Sequence, residues 1–168
     1  MIPPRLMGWD QVTAWTAARV RELAADTRVP DAPDLRLFEH ARSSVGGGLE
    51  WLDAPADVRD LWESRVAPAW PRWAGVVGRY LAARVHGSWA LYAGMNLGPV
   101  RQAVDVARVV LQVEAVRACA ERAAALDASA LEHAIRRSDL LLVHYADPDR
   151  LHAPVGDGEE PPVPRVAS

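Results

Sequence analysis

Three residues that can bind anions or transfer protons repeat at seven-residue intervals: Arg72, Arg79 and His86. Residues seven apart stack along one side of a helix, because an α-helix has 3.6 residues per turn. Guanidinium groups bind anions through a fixed fork, and an imidazole exchanges a proton near neutral pH. The spacing predicts a basic surface for an anionic group, with Arg79 and His86 as candidate catalytic residues. A solvated helix face has the same pattern, so both interpretations stay open.

A second polar face lies further along the chain, where Arg101, Asp105, Arg108 and Gln112 follow one another at helical spacing. If this face points outward, its ion pairs are ordinary exposed pairs that contribute little to stability. If it points inward, it carries charge into the interior, which is costly and typical of functional sites. The inward arrangement makes Asp105 a candidate catalytic group, and Arg101 and Arg108 candidate ligands of an anion.

Four aromatic side chains lie on the same predicted helix as Arg72, Arg79 and His86. They are Trp73, Tyr80, Trp89 and Tyr92, within the fourth predicted helix, residues 71–94. Aromatic rings supply large apolar area for a pocket wall. One hypothesis is therefore a pocket between this helix and the fifth predicted helix, residues 99–125. Such a pocket suits an aromatic or isoprenoid-like molecule with an anionic end.

Sequence motifs for metal and nucleophile chemistry are absent. No Glu-x-x-His or His-x-x-x-His pair occurs, and Cys119 is the only cysteine. These absences argue against a di-iron bundle, a zincin and a multi-cysteine zinc site. There is no Gly-x-Ser-x-Gly elbow, and the glycine run 46–48 lacks the phosphate-loop lysine. We expect no metal and no cofactor, and we expect Cys119 to be a core residue.

Helical periodicity, capping residues and breakers predict the elements that hold these groups. The predicted helices are 10–25, 34–44, 53–66, 71–94, 99–125 and 129–147, the last beginning with the capping box Ser129-x-x-Glu132. No alternating strand pattern interrupts them. The sequence predicts an all-α bundle of five to six helices over residues 1–147. The proline-rich segment 148–168 is predicted to be a disordered tail.

The helix 99–125 is apolar around most of its circumference, so it must be covered on several sides. It is either the central helix of the bundle or part of a subunit interface. Its second half carries a polar stripe, Glu114, Arg117 and Glu121, which we expect to be exposed to solvent. We also expect the face of the last predicted helix that carries His133 and Arg137 to be exposed.

Composition favours a small globular protein that associates with proteins. The net charge is −3, so no global basic field attracts nucleic acid, and nucleic acid is not an expected partner. No apolar segment is long enough for a signal peptide or a membrane span, so we expect a cytoplasmic location and no membrane partner. Six of the seven tryptophans lie in the first 73 residues, which is typical of core and interface anchors.

Two functions follow from the sequence. The leading hypothesis is a non-catalytic interaction or assembly module, a homo-oligomer or a binder of a partner protein. It depends on the helix 99–125, the tryptophans and the missing catalytic spacings. The alternative is a small enzyme or ligand-binding protein that uses the pocket between the fourth and fifth predicted helices. Whether the polar face of the fifth helix is buried distinguishes the two.

Overall fold

The computed structural model describes residues 31–46, 53–87 and 97–155, with the backbone alone at 85–87 and 97–100. The isolated positions Ala14 and Ala18 are also described, and both are helical. The remainder of the predicted helix 10–25, and residues 47–52, 88–96 and 156–168, lie outside the described residues.

Within the described residues the chain is helical. Its helices are α1 (Leu35–Ser43), α2 (Val58–Leu61), α3 (Ala74–Gly87), α4 (Leu97–Arg122), α5 (Ala128–Asp139) and α6 (Pro148–Leu151). A π-helical turn, Trp62–Val66, continues α2, and another, Leu140–Tyr145, continues α5; a 3₁₀ turn, Trp70–Trp73, leads into α3. No strand occurs in these segments, only one isolated bridge between Val45 and Ala146. The predicted all-α bundle is confirmed.

Helix α4 is the centre of the bundle. Between Val104 and Cys119 every residue except Asp105 and Arg108 is buried. The helix packs most extensively against α5, and also against α1, α2 and α3. The chain therefore covers its most apolar helix by itself. Of the two predicted roles for this helix, the structure shows the central helix of the bundle.

Helix α4 is described from Leu97, two residues before the predicted start, and its C-terminal end departs from the predicted bound of residue 125. It ends at Arg122 because Ala123 takes a left-handed conformation, with φ of 52°. The Ala123 N–H donates to the carbonyl of Ala120, and the Ala124 N–H donates to the carbonyl of Cys119. This pair of hydrogen bonds is a Schellman motif, which usually has glycine at the left-handed position.

Helix α5 is capped two residues before the predicted capping box. Asp127 is the N-cap, since its backbone is extended and its carboxylate accepts a 2.7 Å hydrogen bond from the Ala130 N–H. The predicted cap, Ser129, lies inside the first turn, where its hydroxyl accepts from Arg122. The capping box was the wrong assignment, because an aspartate stood two residues before it and competes for the same role.

The packed structure continues past residue 147 into the predicted tail. Leu151 is buried, and its carbonyl lies 3.0 Å from Nε2 of His40 on α1. The amide of Gln102 on α4 donates to the carbonyl of Ala153 at 2.7 Å. These contacts attach α6 to the bundle. Residues 156–168, the rest of the predicted tail, lie outside the described residues.

Tryptophans anchor the core on the α2 side. Trp62 and Trp70 are buried, with ring centroids 5.2 Å apart at 60°. Edge-to-face pairs of this kind are favourable beyond the area that they bury. The predicted role of tryptophan as a core anchor is confirmed for these two, whereas Trp9, Trp15 and Trp51 fall outside the described residues. No helix in the described segments has the length and apolar character of a transmembrane span.

Candidate functional site

The predicted polar face of α4 turns gradually from solvent into the interior. Arg101 is 65% exposed and its Nε lies 3.9 Å from Asp105. Asp105 and Arg108 are half-buried, and Gln112 is 1% exposed. The Nε of Arg108 and the amide nitrogen of Gln112 are buried without a hydrogen-bond partner. The face is thus solvated at its N-terminal end and buried at its C-terminal end, where it holds two donors that water does not reach.

Of the predicted basic surface formed by Arg72, Arg79 and His86, the structure describes the side chains of the two arginines, and both are exposed. One amino group of Arg72 donates to the Leu126 carbonyl at 2.9 Å, and its guanidinium lies 5.0 Å above the ring of Trp73. Arg79 is exposed and reaches back over Gly75. Asp105 lies 3.9 Å from Nε of Arg101 on its own helix. The side chains of His86, Trp89 and Tyr92 lie outside the described residues, so those predicted site residues stay predictions.

The other predicted pocket wall, Tyr80, lies in the core. It is buried, and its hydroxyl has no aligned hydrogen bond although it is close to Ser138 and Asp139. Burial, and secondarily the charge of Asp139, raise the pKa of Tyr80 well above its ordinary value. The side chain is therefore a neutral phenol that packs between α3 and α5.

The same helix pair, α3 and α5, forms an open groove of about 420 Å³ on the surface. Trp73 and Val76 supply one wall, and α5 supplies the other. The lining residues on α5 are Ala128, Leu131, Glu132, Ile135 and Arg136. The walls are apolar, and the charged pair Glu132 and Arg136 lies at the rim. A volume of this size is in the range of small binding pockets, which is about 300–1,000 Å³.

Hydrogen bonds to backbone carbonyls hold the two walls of the groove together at one end. The Arg72 guanidinium donates to the carbonyl of Leu126, just before α5 begins. The Leu126 N–H donates to the carbonyl of Arg65 at 2.9 Å, and Arg65 in turn donates to the carbonyl of Cys119 at 3.1 Å. The segment before α3 and the turn before α5 are therefore tied to each other and to the end of α4. The groove is a feature of the packed core and not of a loose surface.

On the other side of α5 lies a buried charge network. Glu114 on α4 has 0% exposure, and its carboxylate lies 2.9 Å from Nε of Arg137 and 3.5 Å from Arg117. Arg137 also contacts Glu121 at 3.0 Å, and His133 lies 3.9 Å from Glu121. The Arg117 guanidinium donates to the Asp53 carbonyl at 2.7 Å. These residues form a network that connects α5, α4 and the start of the segment before α2.

Ion pairing in this network is close but poorly aligned. Neither oxygen of Glu114 has an aligned hydrogen bond, although the Arg137 nitrogen is at contact distance. Burial raises the pKa of Glu114, and the charges of Arg117 and Arg137 oppose that rise without cancelling it. Burial also lowers the pKa of Arg117, against the charge of Glu114. The network thus holds charge in the interior at a cost that its pairing only partly offsets.

This network was not predicted from the sequence. Glu114, Arg117 and Glu121 were expected to form an exposed stripe and Arg137 to be solvated, whereas Glu114 and Arg117 are buried and Arg137 is mostly buried. The missing fact was tertiary: opposite charges on α4 and α5 meet across the interface between the helices. One sequence feature could have indicated the network. The polar residues of the helix 99–125 change from one side in its first half to the other in its second half, so one of these two polar sides had to face a neighbouring helix.

Cys119 lies in the core as expected, and burial raises the pKa of its thiol to about 11. Among the described residues no group of three or more histidine, cysteine, aspartate or glutamate side chains is placed to hold a metal ion.

Comparison with known proteins found no matching family model, no similar curated protein and no similar solved structure. A functional proposal for this chain therefore depends on the residues and contacts described above.

Proposed function

We propose that this protein is a helical interaction module, and that the groove between α3 and α5 binds an amphipathic helix of a partner protein. The observation that carries the proposal is the groove itself: an open, apolar depression between two helices whose walls are held by the core. Recognition of this kind, a helix in a groove, depends on apolar side chains at spacings of three and four.

The geometry of the α5 wall matches that mode of binding. Ala128, Leu131 and Ile135 are three and four residues apart, so they form one apolar stripe along the groove. Trp73 and Val76 face this stripe from the other wall. Tryptophan is the residue type that most often dominates binding energy at protein interfaces. A partner helix with its own apolar stripe can pack its side chains between the two walls.

A binding measurement with designed peptides tests the docking. The probe is a helical peptide with leucines at i, i+3, i+4 and i+7 and glutamines elsewhere, titrated against the full chain by fluorescence anisotropy. We expect saturable binding that Ile135→Ser weakens about tenfold or more, the scale of one lost apolar anchor. The control is Leu35→Ser, which removes an exposed apolar side chain on α1 that does not line the groove. Equal affinities for the two variants, with both folded, contradict the proposal.

Self-association is a further part of the interaction hypothesis. Because α4 is covered within one chain, the apolar character of that helix no longer favours a subunit interface. The exposed Leu140, Val143 and Tyr145 of the π-helical turn form an apolar surface that a second copy could cover. Light scattering after size exclusion tests this part: a monomer at roughly tens of micromolar excludes a stable homo-oligomer, and leaves a different protein as the partner.

Binding of an anionic small molecule, with or without catalysis, is the second candidate function. It is favoured by Arg108 and Gln112, whose buried nitrogens have no hydrogen-bond partner. The aromatic anion anilinonaphthalene sulfonate is a suitable probe. Arg108→Gln is expected to weaken its binding, whereas Arg150→Gln at an exposed position is not; identical titration curves for the two variants remove this candidate. We place the protein in the cytoplasm as part of the proposal, since its one thiol is unpaired.

A further inference from the structure

The side of the groove formed by α3 belongs to a segment without carboxylates. From Ser64 to Val104, 41 residues contain five arginines and no aspartate or glutamate. All 22 acidic residues lie elsewhere in the chain, together with the other 14 arginines. A protein with a net charge of −3 thus carries a segment of charge +5 and a remainder of charge −8. Two of the five arginines, Arg84 and Arg101, lie 3.9 Å from Asp139 and Asp105, so the positive charge that can attract an anionic partner comes from the remaining arginines.

Two arginines of this segment flank the apolar wall of the groove. Arg72 lies over the ring of Trp73, and Arg79 lies over Gly75, one turn before its own position. Val76, between them, lines the groove. Both arginines are exposed, and neither pairs with a carboxylate in the part of the chain that the structure describes. By contrast, Arg136 on the opposite rim is already paired with Glu132.

We propose that the partner helix is acidic, with carboxylates about two turns apart that pair with Arg72 and Arg79 while its apolar side chains enter the groove. This inference rests on the proposed function, because it names the partner of the same groove. Guanidinium groups that already lie against the wall can bind carboxylates with two parallel hydrogen bonds. The basic rim also speeds the encounter with an acidic partner and disfavours basic helices.

A helix fits these features better than an anionic membrane does. Electrostatic membrane attachment needs a cluster of about 4–8 basic residues on a convex or flat surface. The groove is concave, and its rim offers only two arginines that are not paired with a carboxylate, Arg72 and Arg79, of which Arg72 already donates to the Leu126 carbonyl. Binding to phosphatidylserine vesicles is nevertheless a defined arm of the test.

The test compares three peptides with one apolar face. The neutral peptide carries glutamine at the flanking positions, the acidic one glutamate and the basic one lysine. We expect the acidic peptide to bind about fivefold more tightly than the neutral one at low salt, which is the scale of two exposed ion pairs. The basic peptide is expected to bind more weakly than both. In 1 M salt, where the screening length is about 3 Å, the three affinities converge.

Variants assign the effect to the rim. Arg79→Gln is expected to lower the affinity for the acidic peptide about two- to threefold and to leave the neutral peptide unchanged. Arg72→Gln has the same expected effect, with a urea unfolding curve as a check because Arg72 also holds the Leu126 carbonyl. The matched control is Arg150→Gln, which removes the same charge from an exposed position on α6 that does not line the groove, and it is expected to change neither affinity.

Each failure has a distinct meaning. Equal binding of acidic and neutral peptides, both weakened by Ile135→Ser, overturns the acidic partner and leaves the helix-binding function intact. Absence of binding by every peptide contradicts the function itself. Binding to phosphatidylserine vesicles with no binding to peptides overturns the inference in favour of a lipid surface.

Discussion

Glu114 shows at the residue scale how this fold uses charge. It is a fully buried carboxylate on the central helix, held by Arg137 from α5 and by Arg117 one turn along α4. Pairing of this kind seldom stabilises a protein relative to an apolar core, but removal of one partner leaves a charge without compensation. We therefore expect that loss of either arginine destabilises the packing of α5 on α4, although the network as a whole adds no surplus stability.

Removal of Arg137 tests this requirement. Arg137→Met is expected to lower the free energy of unfolding by about 2–4 kcal/mol at neutral pH, because Glu114 loses its nearest cation. Adding Glu114→Gln in the same background should recover most of the loss, since the uncompensated charge is then gone. The neighbouring Arg136→Met is the control, with an expected change under about 1 kcal/mol for an exposed pair. Urea unfolding measures all of them, and a double variant as unstable as the single one contradicts the account.

The raised pKa of Glu114 gives a pH dependence of known sign. A carboxyl with a higher pKa in the folded state binds its proton more tightly there than in the unfolded chain, so deprotonation costs stability. The free energy of unfolding of the wild type, relative to Glu114→Gln, should therefore fall as the pH rises above the ordinary value of 4.5. Unfolding curves at a series of pH values measure this difference. A difference that grows with pH means that the two arginines outweigh burial.

At the element scale, sequence patterns predicted which segments are helical better than where they end. Asp34 was recognised as the start of α1, and the structure makes it the N-cap. Neither the left-handed turn at Ala123 nor the Asp127 cap was found, because alanine carries no turn signal and Ser129 offered a competing pattern. The start of α2 at Val58, five residues after the predicted start, has a similar cause: Pro55 and its neighbours form a turn instead of a first helical turn.

The end of α4 offers a stabilising substitution. A left-handed conformation costs an alanine about 1–2 kcal/mol, and glycine avoids that cost while losing more entropy on folding. Ala123→Gly is therefore expected to raise the free energy of unfolding by about 0.5–1 kcal/mol. Ala124→Gly, next to it but outside the left-handed position, should be neutral or destabilising. Thermal unfolding of the two variants decides, and a destabilised Ala123→Gly protein would show that the Schellman turn is not formed.

The whole molecule combines a self-covered core with an uneven surface. The sequence supported the all-α bundle and the importance of the helix 97–122, because apolar periodicity reports on burial without tertiary information. It did not support the groove, which needs Trp73 and Val76 from one helix to face Leu131 and Ile135 from another. Leu131 belongs to the core and Ile135 packs against it, yet both also line the depression, so burial alone did not reveal the groove.

The same limit applies to the predicted pocket residues. Trp73 does line a depression, but the opposite wall belongs to α5, which corresponds to the last predicted helix. The predicted pocket had the helix 99–125, now α4, as its opposite wall. Tyr80, on the same predicted helix, is in the core. A helix face read from one sequence gives the direction of a side chain relative to its own axis, whereas the partner across it depends on how the bundle packs.

NMR shift mapping shows which surface of the protein the peptide contacts. With isotope-labelled protein and the acidic peptide, we expect shift changes concentrated at 73–79 and 128–136, the two walls of the groove. Little change is expected at His40 and Leu151, where α1 meets α6. Shift changes centred on that region, or spread evenly over the surface with none at Trp73 and Ile135, would contradict the claim that the groove is the binding site.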